Sequence, residues 1–355
     1  MKYLFTFLFL LTQGTLLFSQ QADSLNKLIA DGVAFHDEGD YESAIQKYDQ
    51  VISADPKNVT AWAEKAYSLI SMGEYDESIE ACKKAISSDP ESKHLRIVYT
   101  TYGNALDALE KPVEAIKIYD EGISRFPEFY QLYFNKGITL TGLNDYDKAV
   151  ENFHSSAQLN PTHASSHNAI GRIEGIDKTM KIPSLLALCR FMAIEPVGSR
   201  AKANLPLIQD IMTGGAEKTG KNKVNITLDP ATLGNPDSDE KMENDFSTTG
   251  LILALSAALD FDKKNKKKSA VELFQDKFET VCSSLTESQE GNFGFYWEYY
   301  APYFIEMKAK EQIETFSYLV FATDEEKSTQ QWLKDNEGRV KSFFVWSSAF
   351  EWSTE

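Results

Sequence analysis

Cysteine, histidine and basic residues are all in short supply in this 355-residue chain, which has 3 Cys, 5 His and 36 Lys+Arg against 53 Asp+Glu. Cys82, Cys189 and Cys282 are an odd set without metal-ligand spacing, so neither a zinc site nor a disulfide framework is written in them. A free thiol on an apolar helix face packs as a small hydrophobe, and a single disulfide between two of the three stays open. The formal charge of -17 repels polyanions, which excludes nucleic acid as a partner and disfavours acidic lipid surfaces. No apolar run reaches the ~20 residues that span a bilayer. With 42% hydrophobic residues the chain has the material for one large core or two adjoining ones.

The longest apolar run lies at the start. Lys2 precedes Tyr3 to Leu17, broken by Thr6, Thr12, Gln13, Gly14 and Thr15, and polar residues return at Ser19-Gln20-Gln21-Ala22-Asp23. This pattern predicts a secretory signal peptide over residues 1–20, cleaved between Ser19 and Ala22. No cysteine follows the run, so a lipid anchor is not expected. The mature chain is expected in a periplasm or outside the cell, with no inserted segment.

A beat of 34 residues occupies the first half. Gly32, Ala66, Gly103, Gly137 and Gly171 recur at steps of 34, 37, 34 and 34. Ala44, Ser78, Ala115 and Ala149 follow the first four at a fixed offset, and Pro56, Pro90, Pro127 and Pro161 close each unit. Small residues at a fixed phase permit two helices to approach closely. Large residues fill what is left: Leu28, Trp62, Tyr99 and Tyr133 before the small residue, Phe35, Leu69, Leu106 and Leu140 after it, and Tyr48, Cys82, Tyr119 and Phe153 on the second helix. A repeat of this length built from two helices stacks into a solenoid, which offers a surface to partners more readily than a reaction centre.

These markers make the segment resemble the tetratricopeptide repeat family, over residues 25–58, 59–92, 96–129 and 130–163, with Lys93, His94 and Leu95 inserted. A degenerate fifth unit keeps Gly171, but Pro183 stands where its second small residue belongs. The expected fold is all-α: a solenoid over 21–197, a helix and long connection over 198–238, and a helical C-terminal domain over 239–355. The resemblance implies a concave wall formed by Ile29, Val33 and His36, then Ala63, Tyr67 and Ile70, then Ile97, Thr100, Asn104 and Asp107, then Gln131, Phe134, Ile138 and Thr141. Ile29, Val33 and Tyr67 do not suit the basic clamp with which some members of the family hold a C-terminal carboxylate. An amphipathic helix or extended apolar peptide fits better. Tyr67, Ile70, Asn104, Asp107, Phe134 and Ile138 are the expected groove residues, with Tyr67 and Phe134 as anchors and Asn104 available to a peptide backbone. Residues 214–238 of the same chain are an alternative occupant.

Beyond Pro196 the beat is lost. Ser199 to Ile211 reads as a helix, 214–238 as a long connection with a short strand at Val224 to Leu228, and 239–262, 267–287, 293–322 and 325–352 as helices, the third broken near Pro302. Three features carry alternative chemistry. The aromatic segment Phe293 to Phe304, with Glu298 and Glu306, could stack on a glycan or small ligand, or pack as core. His154, His163 and His167 have a spacing that a metal can use, but lack an accompanying glutamate, and no metal or cofactor is expected. Lys263 to Lys268 is a basic run that reads as a solvated loop. The sequence therefore predicts an exported, non-enzymatic adaptor or assembly factor for a protein or peptide partner. Glycan binding through the aromatic C-terminal domain is the alternative.

Overall fold

A computed structural model describes residues 21–220, 223–228 and 242–353. The signal-peptide expectation falls on residues 1–20 and lies outside them. The chain divides at Ala149/Val150 into two compact units, whereas the sequence places the boundary at 197/198.

In the first unit helices alternate in pairs: α1 (21–37) with α2 (Tyr41–Ala54), α3 (Val59–Met72) with α4 (Tyr75–Ser88), and α5 (Leu95–Ala108) with α6 (Pro112–Arg125). Then come α7 (Tyr130–Gly142) and the start of α8 (Tyr146–Leu159). The turn inside each pair places one residue in the left-handed region: Gly39, Gly73, Glu110 and Asn144, with φ of 82, 85, 58 and 60°. Glycine takes that conformation at no steric cost, and Glu110 shows that the turn geometry outranks residue preference.

The close approach inside each pair is a small residue under a ring. A Cβ built on Gly32 would stand 2.5 Å from the Tyr48 ring, and one on Gly103 would stand 2.2 Å from the Tyr119 ring. Both tyrosines are fully buried. Where the first helix carries Ala66, the second carries Cys82 in place of the tyrosine, so the extra methyl is matched by a smaller partner. Ser78, the one marker serine, donates to the Ala66 carbonyl at 2.8 Å and so meets its own need for a partner within the contact.

Neighbouring repeats are joined by bonds that recur 71 residues further on. His36 Nδ1 lies 2.8 Å from Ser68 Oγ, and Thr139 donates to Asp107 at the equivalent place. Lys65 pairs with Asp49 at 2.6 Å, as Lys136 does with Asp120 at 2.6 Å. Trp62 Nε1 donates to the Pro56 carbonyl at 3.1 Å, as the Tyr133 hydroxyl does to Pro127 at 3.0 Å. At the intervening junction, where Lys93 to Leu95 are inserted, Arg125 takes over by donating to the Pro90 carbonyl and the Tyr99 hydroxyl. The proline that ends a repeat thus exposes a carbonyl that the next packing layer satisfies.

The second unit continues the pattern before leaving it. α9 (Ala164–Glu174) and α10 (Lys181–Ile194) form the fifth pair. Pro183 is not its marker. The loop between the helices is one residue longer, so Ser184 takes the place and donates to the Gly171 carbonyl at 2.6 Å, as Ser78 does to Ala66. Gly171 packs under Leu188, 2.6 Å from where its Cβ would be. After Pro196, α11 (Ser199–Ile211) repeats the first-helix role, with Arg172 donating to Asn204 at 3.1 Å much as Asn135 of α7 does to Asn104 of α5 at 3.0 Å.

Four expectations for the C-terminal region need correction. The short strand expected at Val224 to Leu228 is β2 (Lys223–Ile226), but it pairs with a second strand, β1 (Ala216–Gly220), in an antiparallel hairpin that packs on α12 (Ser247–Ala258). Gly214 and Gly215 make this possible: a Cβ on either would meet Ala254 backbone at 2.6 Å or the Thr227 carbonyl at 2.3 Å. Residues 229–241 lie outside the description. The helix expected from 239 begins at Ser247, after the turn that precedes Phe246. The break near Pro302 is a change of helix type, from a π-turn over Tyr296–Tyr300 to α14 (Ala301–Ala309), with Pro302 in the first turn of α14. A second break, absent from the expectation, follows at the left-handed Glu311, before α15 (Ile313–Val320). Finally, 325–352 is two helices, α16 (Lys327–Asp335) and α17 (Glu337–Ala349), separated at Asn336. α13 (Ala270–Ser288) matches its expectation and opens on a Ser269/Glu272 capping box.

The ring-under-glycine contact yields a paired prediction. Cys82→Tyr should overpack against Ala66 and lower stability by about 1–3 kcal/mol. Adding Ala66→Gly should recover part of the loss, although that change alone costs about 1 kcal/mol in a helix interior. Thermal melts of the three variants decide it, and simple additivity would disprove the pairing.

Candidate protein-binding face

The residues expected to form the wall lie on the first helices of the pairs, α1, α3, α5 and α7. Val33, Tyr67, Asn104 and Ile138 occupy one place in successive repeats. Tyr67 leaves 50% of its surface in solvent and Ile138 49%, Asn104 is exposed and Val33 is half-buried. Ile97 is a further exposed apolar residue on α5. Ile70 and Phe134 are half-buried on the same helices. Tyr67 is not a free ring: it stacks on His36 at 4.8 Å, and His36 meets the edge of Tyr41 at 5.0 Å. A phenol stacked on one face in this way loses less entropy on meeting a partner than a free one.

The two polar residues of the wall are structural as well as exposed. Asn104 Oδ1 lies 2.8 Å from the Tyr119 hydroxyl and accepts from Asn135 Nδ2 at 3.0 Å. Asp107 lies 3.1 Å from the same hydroxyl and accepts from Thr139. Burial raises the pKa of the Asp107 carboxyl, and the hydrogen bonds from Thr139 and Tyr119 work against that rise. Burial, with the nearby Asp107 charge, also holds the Tyr119 phenol above its ordinary value, so it remains a donor. Asp107 therefore braces the Tyr119 hydroxyl, while exposed Asn104 has no hydrogen bond from its amide N–H groups among the described residues.

A cleft that sequence reasoning missed lies between α2, α3 and α4. It is an open cleft of about 530 Å³ lined by Ile45, Trp62 and Leu69 together with Lys65, Glu77, Glu80 and Lys84. Its one sequence signal is Trp62, larger than the tyrosines at the same place in the next two repeats.

The aromatic segment behaves differently. Tyr296, Trp297, Tyr299, Tyr300, Tyr303 and Phe304 are all buried, none more than 3% exposed, so the rings form the core of the second unit and present no open stack. Arg190, fully buried on α10, lies 4.8 and 4.6 Å from the Tyr303 and Trp352 rings. It donates to Ser347 Oγ at 2.9 Å and to the Pro161 carbonyl at 3.0 Å. Cation–π contact and neutral acceptors here take the place of a carboxylate.

The histidines are part of this core. His167 Nε2 faces the Pro161 carbonyl at 3.0 Å, so it carries the proton, and Nδ1 accepts from the Tyr300 hydroxyl at 2.7 Å. His154 stacks on Phe295 at 3.5 Å and lies 3.0 Å from the Tyr296 hydroxyl, which donates to Glu174. Burial drives the His154 imidazole down to about 3 and that of His167 well below its usual value. Among the described residues no cluster of His, Cys, Asp and Glu could hold a metal ion, and all three cysteines are buried free thiols. No helix among them is long and apolar enough to cross a membrane.

Paired helices in a repeating stack define a helical solenoid. Residues 35–97 and 130–163 match the tetratricopeptide repeat, and these repeats belong to that family. The chain is similar in fold to pilF of Pseudomonas aeruginosa, at 21% identity and a TM-score of 0.47 over 54% of this chain and 83% of that one. It is similar also to PilW, a type IV pilus biogenesis factor, at 20% identity and 0.45 over 53% and 84%. MamA follows at 22% and 0.39 over 45% and 92%. A comparison with curated proteins gives no match.

The buried neutral imidazoles make stability depend on pH. Their folded pKa values lie below the unfolded value of about 6.5, so the unfolded chain binds more protons in acid. Stability is present above about pH 6.5 and falls as pH drops toward 3, by up to about 1.4 kcal/mol per pH unit for each imidazole. Melting of His154→Gln followed at pH 7.5 and 5 should show a smaller acid loss than the parent; an equal loss would contradict this origin.

Proposed function

We propose that this is an exported, non-enzymatic adaptor or assembly factor whose first-helix wall holds a peptide segment of a partner protein. One observation carries the reading: Tyr67 and Ile138 stand at the same place two repeats apart and each keeps about half its surface exposed. Isolated exposed apolar residues are ordinary, but a row in phase with the repeat offers a linear ligand evenly spaced contacts. Tyr67 and Ile138 act as the apolar anchors, and the Asn104 amide donates to a backbone carbonyl between them. Ile70 and Phe134 supply flanking apolar surface, and Asp107 keeps Asn104 in place through Tyr119. The periplasm or the extracellular space is the proposed compartment, on the apolar run of residues 1–20. Burial of the Tyr296 to Phe304 rings removes the feature that favoured a glycan there.

Two experiments test the proposal. In affinity capture from the native envelope, Tyr67→Ala with Ile138→Ala should lose the proteins that the parent retains. Its stability should change little, because exposed truncations cost about 0.5 kcal/mol or less each. An unchanged captured set from a normally folded double variant would remove the wall from consideration. N-terminal sequencing of the exported protein should begin between Gln20 and Ala22, and recovery of intact Met1 from membranes would contradict export as a cleaved chain.

A further inference from the structure

α12 exposes an unbroken row of leucines. Its buried residues Thr249, Leu253, Ala254 and Ala257 pack toward α13 and the hairpin, with Thr249 Oγ 3.0 Å from Ser284 Oγ. The opposite side should then be polar, yet Leu251 is 38% exposed, Leu255 54% and Leu259, the residue after the helix end, 50%. Residues four apart share a helix face, so these leucines form a stripe roughly 12 Å long.

The basic run is fastened to the end of that stripe. Asn265, 9% exposed, donates from Nδ2 to the Leu259 carbonyl at 2.8 Å and bonds through its backbone to Asp262 and Lys268. The loop therefore folds back on the helix terminus. Lys263, Lys264, Lys266 and Lys267 are exposed, and among the described residues none has an acidic partner. Of the neighbouring acids, Asp260 is paired with Lys277 and Asp276 with Lys268, which leaves Asp262 and the capping Glu272 to offset four lysines. In a chain of net charge -17 this is a local reversal of sign. At physiological salt a charge is felt over about 8 Å, so the loop presents itself as basic whatever the chain total.

We propose that the exposed face of α12 and the lysine loop form a peripheral docking surface for an anionic lipid bilayer. Leu251, Leu255 and Leu259 enter the boundary between headgroups and acyl chains, and the lysines meet lipid phosphates. The stripe is purely aliphatic and lacks the Trp, Tyr and Arg that anchor protein interfaces, and its basic end calls for a negative partner. The proposal is independent of the peptide-binding wall, which lies on other helices.

An environment-sensitive fluorophore on Leu255→Cys of the full-length protein tests it, since Cys82, Cys189 and Cys282 are buried and leave position 255 as the accessible thiol. Vesicles of phosphatidylcholine with phosphatidylglycerol should shift the emission to the blue, phosphatidylcholine alone should not, and added salt should reverse the shift. Replacing Lys263, Lys264, Lys266 and Lys267 with Glu should weaken vesicle affinity at least about tenfold. The same label on Val113→Cys, exposed on the first unit, should not respond. No shift with anionic vesicles, or an equal response at position 113, would overturn the proposal. So would a shift that appears without lipid and vanishes on dilution, which would mark a second copy as the occupant, or one produced by polyglutamate but not by vesicles, which would mark an acidic protein.

Discussion

The first unit depends on one contact, made once per repeat: a small residue on the first helix lying directly under a large one on the second. Gly32 under Tyr48 and Gly103 under Tyr119 bring two backbones closer than any side chain at the glycine would allow. Packing density leaves no slack in such a place, so the contact sets both the distance and the rotation of the pair. With each pair set alike, equivalent residues of successive first helices fall in line. That alignment is why bonds such as His36 to Ser68 and Thr139 to Asp107 recur 71 residues apart, and why Tyr67 and Ile138 are exposed at matching places. The compensation at Ala66 and Cys82 belongs to the same constraint, solved with different residues.

The second unit is held by other means. It begins with a fifth pair on the same principle, Gly171 under Leu188, and then surrounds α10 with aromatic rings and hydrogen-bonded hydroxyls. A buried guanidinium without a carboxylate is costly, and Arg190 offsets part of that cost with Ser347, Pro161, Tyr303 and Trp352, while its Nε is buried with no hydrogen-bond partner among the described residues. The result draws together residues from positions 154 to 352. An aromatic-rich segment that reads on paper as a ligand platform is spent on this core.

What the sequence made legible was whatever repeats. The phase of the small residues, the closing prolines and the all-helical class follow from spacing, while the choice of wall residues follows from the family resemblance. Features that depend on a partner distant in sequence stayed hidden. Asn104 and Asp107 look like free wall polars until Tyr119, Asn135 and Thr139 arrive from the next two helices. A single added residue moved the fifth marker from Pro183 to Ser184, and fixed offsets cannot see an insertion. Of the hairpin at 216–226 only the second strand, with Val224 and Ile226, shows apolar alternation; Ala216–Gly220 has none to announce it. The residues of α12 are apolar on every side, a pattern that reads as burial, so its open face could not be anticipated.

The central claim is that the first-helix wall of the solenoid holds a segment of a partner protein. Amide hydrogen exchange of the full-length protein, with and without the captured partner, addresses it most directly. Binding at the wall should slow exchange at exposed amides and fraying ends of α3, α5 and α7, leaving α2, α4 and α6 as they were. Protection confined to the second helices, or to the cleft around Trp62, with α3, α5 and α7 otherwise unchanged, would contradict it.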